Sequence, residues 1–162
     1  MMMKTCLRLL ITLLSSFFIF FYSGVLLAET NTTEQQHNHG HEDHAVSGLS
    51  LDHGKKWKTD AALRQGMQGI DDAAMKAVPA YHDETLTKAD ANKLARQIND
   101  QVNYLIENCK LEPGADTTLH VFIGDFLTGS ANLSHQPLSP QGLPQIVKTL
   151  QLYPDYFEHD GW

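Results

Sequence analysis

The feature that most constrains this chain is a seam of apolar residues between positions 91 and 109. Ala91, Leu94, Ile98, Val102, Leu105 and Cys109 follow at intervals of three, four, four, three and four. Residues so spaced share one face of an α-helix. Thr87 precedes the seam and can cap the helix, with Asp90 three residues on. Leu111-Glu112-Pro113-Gly114 closes it. A helix that is polar on every other face must bury this seam against partners of its own kind.

Those partners are legible on either side. A first helix is expected from about Asp60 to Ala77, capped by Thr59 or Asp60, with Leu63, Met67, Ile70 and Ala74 on one face. Pro79 should end it. Gly66 and Gly69 inside it each cost about 1 kcal/mol relative to alanine, unless they permit close approach of another helix or a ligand. A third helix should start at Asp116 or Thr117, turn Leu119, Phe122, Ile123, Phe126 and Leu127 inward, and fade around Gly129 to Leu133. Ser134 to Pro140 reads as a loop. Ser139-Pro140 is a start signal for a shorter fourth helix, because proline fits the first helical position. That helix carries Leu143, Ile146, Val147 and Leu150, tolerates Pro144 in its first turn, and is ended or kinked by Pro154. The tail after it is aromatic and should dock on the bundle. No β pattern competes, so the expected fold is all-α, an antiparallel four-helix bundle spanning 49–162. Roughly 110 ordered residues bury about two-thirds of their surface on folding, enough for one core.

The start of the chain has a different composition. Lys4 and Arg8 precede an apolar region from Leu9 to Ala28, and polar Glu29-Thr30-Asn31 follows. That order describes a secretory signal peptide over 1–28. The apolar region is 20 residues long, which also suits an uncleaved anchor crossing a bilayer, and only in that case would the protein hold to a membrane. Either way the body is expected outside the cytoplasm, in the periplasm of a Gram-negative cell. Cys6 lies ahead of the apolar run, so it is no lipid acceptor, and after cleavage Cys109 is the lone cysteine. Two of the 12 basic residues precede Ala28 and all 19 acidic ones follow it, so the remainder carries a formal charge of −9, ten against nineteen. Nucleic acid and anionic membrane surfaces, which need clustered Lys and Arg, are excluded as partners. Cations fit.

Residues 29–48 lack apolar periodicity and should form a disordered linker. It contains His37-Asn38-His39-Gly40-His41-Glu42-Asp43-His44. Four imidazoles and two carboxylates within eight residues can wrap copper, zinc or nickel, because imidazole is a ligand common to all three. A solubilising polar linker is the plainer alternative. His120, at the edge of the inward face of the third helix, is a further metal candidate or a boundary histidine with a satisfied hydrogen bond. In an antiparallel bundle the end of the fourth helix returns to the start of the first, which brings His159 toward Met67. A thioether facing an imidazole can ligate haem iron or copper, although a methionine at helical spacing is also ordinary core filler. No Cys-x-x-Cys-His, Gly-rich phosphate loop, Gly-x-Ser-x-Gly, His-Glu-x-x-His or helical Glu-x-x-His occurs, so covalent haem and the familiar catalytic arrangements find no support.

Four stretches carry a family resemblance: Leu51-Asp52-His53-Gly54-Lys55-Lys56-Trp57, Thr59 to Met67, Asn108-Cys109-Lys110-Leu111-Glu112-Pro113, and the ending Phe157-Glu158-His159-Asp160-Gly161-Trp162. Together they resemble a family of small exported proteobacterial proteins termed DnrO-like, many of which follow a His-rich leader. The resemblance covers nearly all of 49–162 and implies export but no activity. In architecture the chain is also similar to the periplasmic b-type cytochrome and cytochrome c′ bundles. Leu63-Arg64-Gln65-Gly66-Met67 looks like the site of the b-type haem methionine, and His159 is its loose match for the haem histidine, with Pro154 interrupting the helix before it.

The expectation is a non-enzymatic periplasmic protein that buffers or passes on copper or zinc through His37, His39, His41 and His44, with His120, Met67, Cys109 or His159 as a second, better-defined site. The alternatives are a haem-binding electron carrier using Met67 and His159, and a ligand-free interaction module docking an efflux or sensor protein. If export proceeds by cleavage, the intact mass of protein recovered from the periplasm corresponds to a chain beginning at Glu29; a mass retaining residues 1–28 identifies an anchor instead.

Overall fold

The computed structural model describes residues 48–162, so the expected leader (1–28) and, except for Gly48, the expected His-rich linker (29–48) lie outside the described residues. Six elements follow in order: β1 (Trp57–Lys58), α1 (Ala61–His82), α2 (Lys88–Asn108), α3 (Pro113–His135), α4 (Leu143–Tyr156) and β2 (Phe157–Glu158). Each helix packs on the next, and α4 packs back on α1. This is the expected four-helix bundle, up-down-up-down with short connections. No helix among the described residues is long and apolar enough to cross a membrane.

The seam that defined the second helix is buried almost as read. Ala91, Leu94, Ala95, Ile98, Val102 and Leu105 face the core from α2. Leu63, Met67, Ile70 and Ala74 meet them from α1, and Leu119, Phe122, Ile123, Phe126 and Leu133 from α3. Leu143, Ile146, Leu150 and Tyr153 complete the core from α4. Among the described residues every buried side-chain nitrogen and oxygen has a hydrogen-bond partner. Ser130, for instance, donates to Asn99 Oδ1 at 2.7 Å across the α2–α3 interface.

Proline placement departs from the expectation at four points. Pro79 does not end α1, which runs three residues further to His82. Its ring is exposed, so the carbonyl left without a partner is that of solvent-facing Met75. A carbonyl on that face can be solvated, so the missing bond costs little there. The extra turn is secured by the next loop, where the Thr85 and Leu86 N–H groups both donate to Ala80 O, at 2.8 and 3.0 Å. Pro113 does not close α2 but opens α3, in the first turn, where its missing N–H costs nothing. Ser139-Pro140 does not start α4. Ser139 instead sits in a turn, donating its N–H to Gln136 O and accepting from Gly142 N, both at 3.0 Å. The helix begins at Leu143, with Pro144 as its first-turn proline. Pro154 is absorbed in the last turn, two residues before α4 ends.

Three further corrections concern faces and ends. α3 continues through Gly129 to His135, because Gly129 is a helix contact: a Cβ there would lie 2.6 Å from Ile146 Cγ1. Leu127 is 43% exposed and not inward, since one step past Phe126 turns the side chain about 100° round the helix. Cys109 is the C-cap residue of α2 and only half-buried. The two strands were not expected either. They pair in parallel, Trp57 with Phe157 and Lys58 with Glu158, and join the two ends of the bundle domain.

The glycines of α1 do permit close approach. A Cβ on Gly66 would lie 2.4 Å from Leu105 Cδ2, and one on Gly69 2.6 Å from Gln101 Cδ. Gly124, in α3, has open space beside it. Gly66→Val should therefore overpack the α1–α2 interface and cost about 1–3 kcal/mol. Gly124→Ala should gain about 0.5–1 kcal/mol through helix propensity alone. Chemical denaturation of the two variants checks both signs.

Candidate functional site

The start of α1, the end of α2, the start of α3 and the end of α4 gather at one end of the bundle, together with the tail. Asp60 organises this end. Its Oδ1 accepts from Leu63 N at 2.6 Å, capping α1, and its Oδ2 accepts from Lys110 N at 2.6 Å, just beyond α2. Arg64 lies one turn into α1 and donates to both the carbonyl and the hydroxyl of Thr59 at 3.0 Å. Thr59 in turn donates to Glu158 O at 2.8 Å, and Lys58 pairs with the Glu158 carboxylate.

The tail docks through aromatic packing. Phe157 stacks on Tyr153 at 5.1 Å between centroids, and both meet Phe122 edge-on at about 6 Å. Trp162 closes over Tyr153 at 4.7 Å, and His159 lies against Trp162 at 5.1 Å. Tyr153 is fully buried, so its hydroxyl needs a partner inside the fold. It finds one in His159 Nδ1 at 3.2 Å. Burial pushes the Tyr153 phenol up from its ordinary value, against the opposing pull of the Arg64 guanidinium. Burial also lowers the His159 imidazole, and Arg64 lowers it further while Asp160 opposes both. Both effects favour the neutral ring, whose Nδ1 can accept a hydrogen bond from the Tyr153 hydroxyl.

Cys109 sits close by. Burial, then the negative charges of Asp60 and Asp116, push its thiol up to about 12. A thiol held protonated is a poor nucleophile and a poor metal ligand.

His159 did return to the start of α1, but its ring is taken up by Tyr153 and Trp162. Met67 lies fully buried in the core, and neither residue lines any of the surface clefts described here. His120 is not at the edge of the inward face: its side chain is 63% exposed on α3. His120 Nδ1 lies 2.8 Å from the carbonyl of Asp116 and 3.4 Å from its carboxylate. His37, His39, His41 and His44 fall outside the described residues. Among the described residues no three His, Cys, Asp or Glu side chains converge on one point.

Sequence reasoning saw Asp60 as a possible cap and the tail as a docked segment. It missed Arg64 and the Tyr153–His159 pair. The aromatic density around Tyr153 was the available signal; nothing local marked Arg64.

Among the described residues a cleft of about 690 Å³ lies between α1 and α2. Gly69, Ala73, Ala77 and Ala80 form its floor, and Asp72, Lys76, Asp90, Lys93 and Asp100 its mixed-charge walls. A smaller, more apolar cleft of about 240 Å³ lies between α1 and α4 at Tyr81, Leu143 and Val147. Compared with family models, curated proteins and solved structures, the chain matches none. Fold and site together define a small helical bundle with its tail latched to its first helix.

The latch has a pH dependence of definite sign. The folded state lowers the His159 pKa, so the stabilisation is present above the ordinary histidine value near 6.5 and is lost as pH falls below it. His159→Gln keeps an acceptor for the Tyr153 hydroxyl without a titrating group. Between pH 7.5 and 5 the thermal midpoint of the parent protein should fall more steeply than that of His159→Gln; parallel curves would remove His159 from the latch.

Proposed function

We propose that this protein is an exported, non-catalytic carrier of a divalent transition metal, copper or zinc, captured by His37, His39, His41 and His44. One observation carries the reading: four imidazoles with Glu42 and Asp43 lie within eight residues. Such a segment supplies enough nitrogen ligands for a complete coordination sphere. It ends at His44, four residues before Gly48, the first described residue. The excess of acid over base favours cations near the surface. The chemistry of the bundle supports a scaffold role. Its core is hydrocarbon and aromatic, Cys109 is held as a thiol, and His159 serves the latch. The apolar leader and the likeness of 51–67, 108–113 and 157–162 to small exported bacterial proteins support a periplasmic location.

The test uses untagged protein recovered from its own periplasm, with metal content and absorption spectrum recorded on the same sample. Stoichiometric copper or zinc, lost on deletion of residues 37–44, is the expected result. Metal content unchanged by the deletion would sink the reading. An intense haem band in the blue, abolished by Met67→Leu, would replace it with the cytochrome-like alternative. A colourless, metal-free protein would leave the interaction module.

A further inference from the structure

The smaller cleft, between α1 and α4, differs from the rest of this acidic surface. At the end of α1, Val78 lies three residues before Tyr81 and four before His82. At the start of α4, Leu143 and Val147 are four apart, as are Pro144 and Lys148. Residues so spaced share a helix face, and the two faces form the walls. Leu143 is buried, and Val78, Pro144 and Val147 are half-buried, so the lining is largely hydrocarbon. Part of it is aromatic. The Tyr81 and His82 rings meet edge-on at 6.2 Å, and the Tyr81 hydroxyl donates to Leu138 O at 3.3 Å, which fixes the ring in the cleft wall.

The charge of this cleft is opposite to that of the chain. The sequence has 19 acidic residues against 12 basic ones, yet among the described residues no acidic side chain lines the cleft. Asp83 and Glu84 follow His82 in the chain but lie outside the lining. Exposed Lys148 lines it, and no described carboxylate lies within ion-pair distance of its ammonium group. The cleft between α1 and α2 is different, since it sets Asp72, Asp90 and Asp100 against Lys76 and Lys93. An apolar cleft with one unneutralised cation at its edge complements a molecule with an apolar body and a single negative group. Size narrows the class. The cleft holds about 240 Å³, room for roughly eight non-hydrogen atoms at the ~30 Å³ that a water takes in the liquid. One aromatic ring bearing a carboxylate is of that size.

We propose that the α1–α4 cleft binds a small aromatic carboxylate, with its ring against Val78, Tyr81 and Val147 and its carboxylate on Lys148. This goes beyond the metal-carrier reading and does not rest on it. A flat ring suits the lining better than an alkyl chain, because it packs against the Tyr81 ring and has few rotamers to lose. Burial of the ring supplies most of the affinity. Lys148 sits at the edge, where both charges keep part of their hydration, so the pair contributes orientation and a preference for anions more than raw affinity.

The experiment titrates benzoate, its neutral analogue benzamide and its cationic analogue benzylamine into the protein purified as the cell leaves it, and follows the methyl signals of Val78, Leu143 and Val147 by NMR. Benzoate should shift these signals to saturation. Benzamide should bind about 3- to 5-fold more weakly and benzylamine about 10-fold more weakly, the scale of losing and then reversing one ion pair at the solvent edge. Lys148→Met keeps the apolar stem and removes the charge, so it should bring benzoate down to the affinity of benzamide and leave benzamide unchanged. Val147→Phe fills the cleft and should weaken all three ligands. A thermal melt checks the fold of each variant, and if Val147→Phe proves unfolded, Gln151→Trp, at an exposed position of the same lining, blocks the cleft instead. Benzylamine binding as tightly as benzoate, or an unchanged benzoate affinity in Lys148→Met, overturns the carboxylate preference. Benzoate shifts that never saturate, that lie away from the cleft, or that survive its blocking overturn the site itself.

Discussion

The Asp60 carboxylate accepts two backbone N–H groups, from Leu63 inside α1 and from Lys110 beyond α2. Each of these donors would otherwise be an orphan near a helix end. One side chain satisfies both and ties the start of the first helix to the exit of the second. A hydrogen bond to a charged group contributes about 1.5–3 kcal/mol, and an N-cap is worth about 1 kcal/mol when lost to alanine. The rest of this end depends on that clamp. Arg64 can reach Thr59 only if α1 starts at Ala61, and Thr59 then holds the tail through Glu158.

The tail answers from the other terminus of the domain. Phe157 enters the core beside Phe122 and Tyr153, and the two-residue parallel strand pair aligns it with Trp57. Two residues of strand contribute little alone. Their value is positional: they place His159 and Trp162 over the Tyr153 hydroxyl and cover a polar atom that the bundle by itself would bury without a partner. The histidine nearest the core is therefore occupied by the fold, whereas His120, one turn beyond the first turn of α3, faces solvent with its Nδ1 beside the Asp116 carbonyl.

Helix identity and the core faces were legible because period and burial are the same information. Leu63, Met67, Ile70 and Ala74, or Ala91 through Leu105, can be buried together only on a helix. The prolines were read less well. Local chemistry marks Pro79 and Pro113 as stops, yet one lies inside α1 and the other opens α3. A proline disrupts a helix only where its missing hydrogen bond matters, and that depends on which side faces water. Ser139-Pro140 carried the right local chemistry for a helix start. The closeness of Gly142 to the Leu133 backbone, where a Cβ would lie at 3.2 Å, places the start three residues later.

By itself, the sequence determined the four helices, their inward faces and the His-rich segment, since these follow from spacing and composition along a single stretch of chain. Only the tertiary structure decided that Asp60 serves two helices, that His159 belongs to Tyr153, and that Gly48 packs on Val121 of α3. Two of those outcomes join residues far apart in sequence, 50 positions for Asp60 and Lys110 and 73 for Gly48 and Val121. No local pattern encodes such a meeting, because it is set by which helix faces pack and how closely their glycines let them approach.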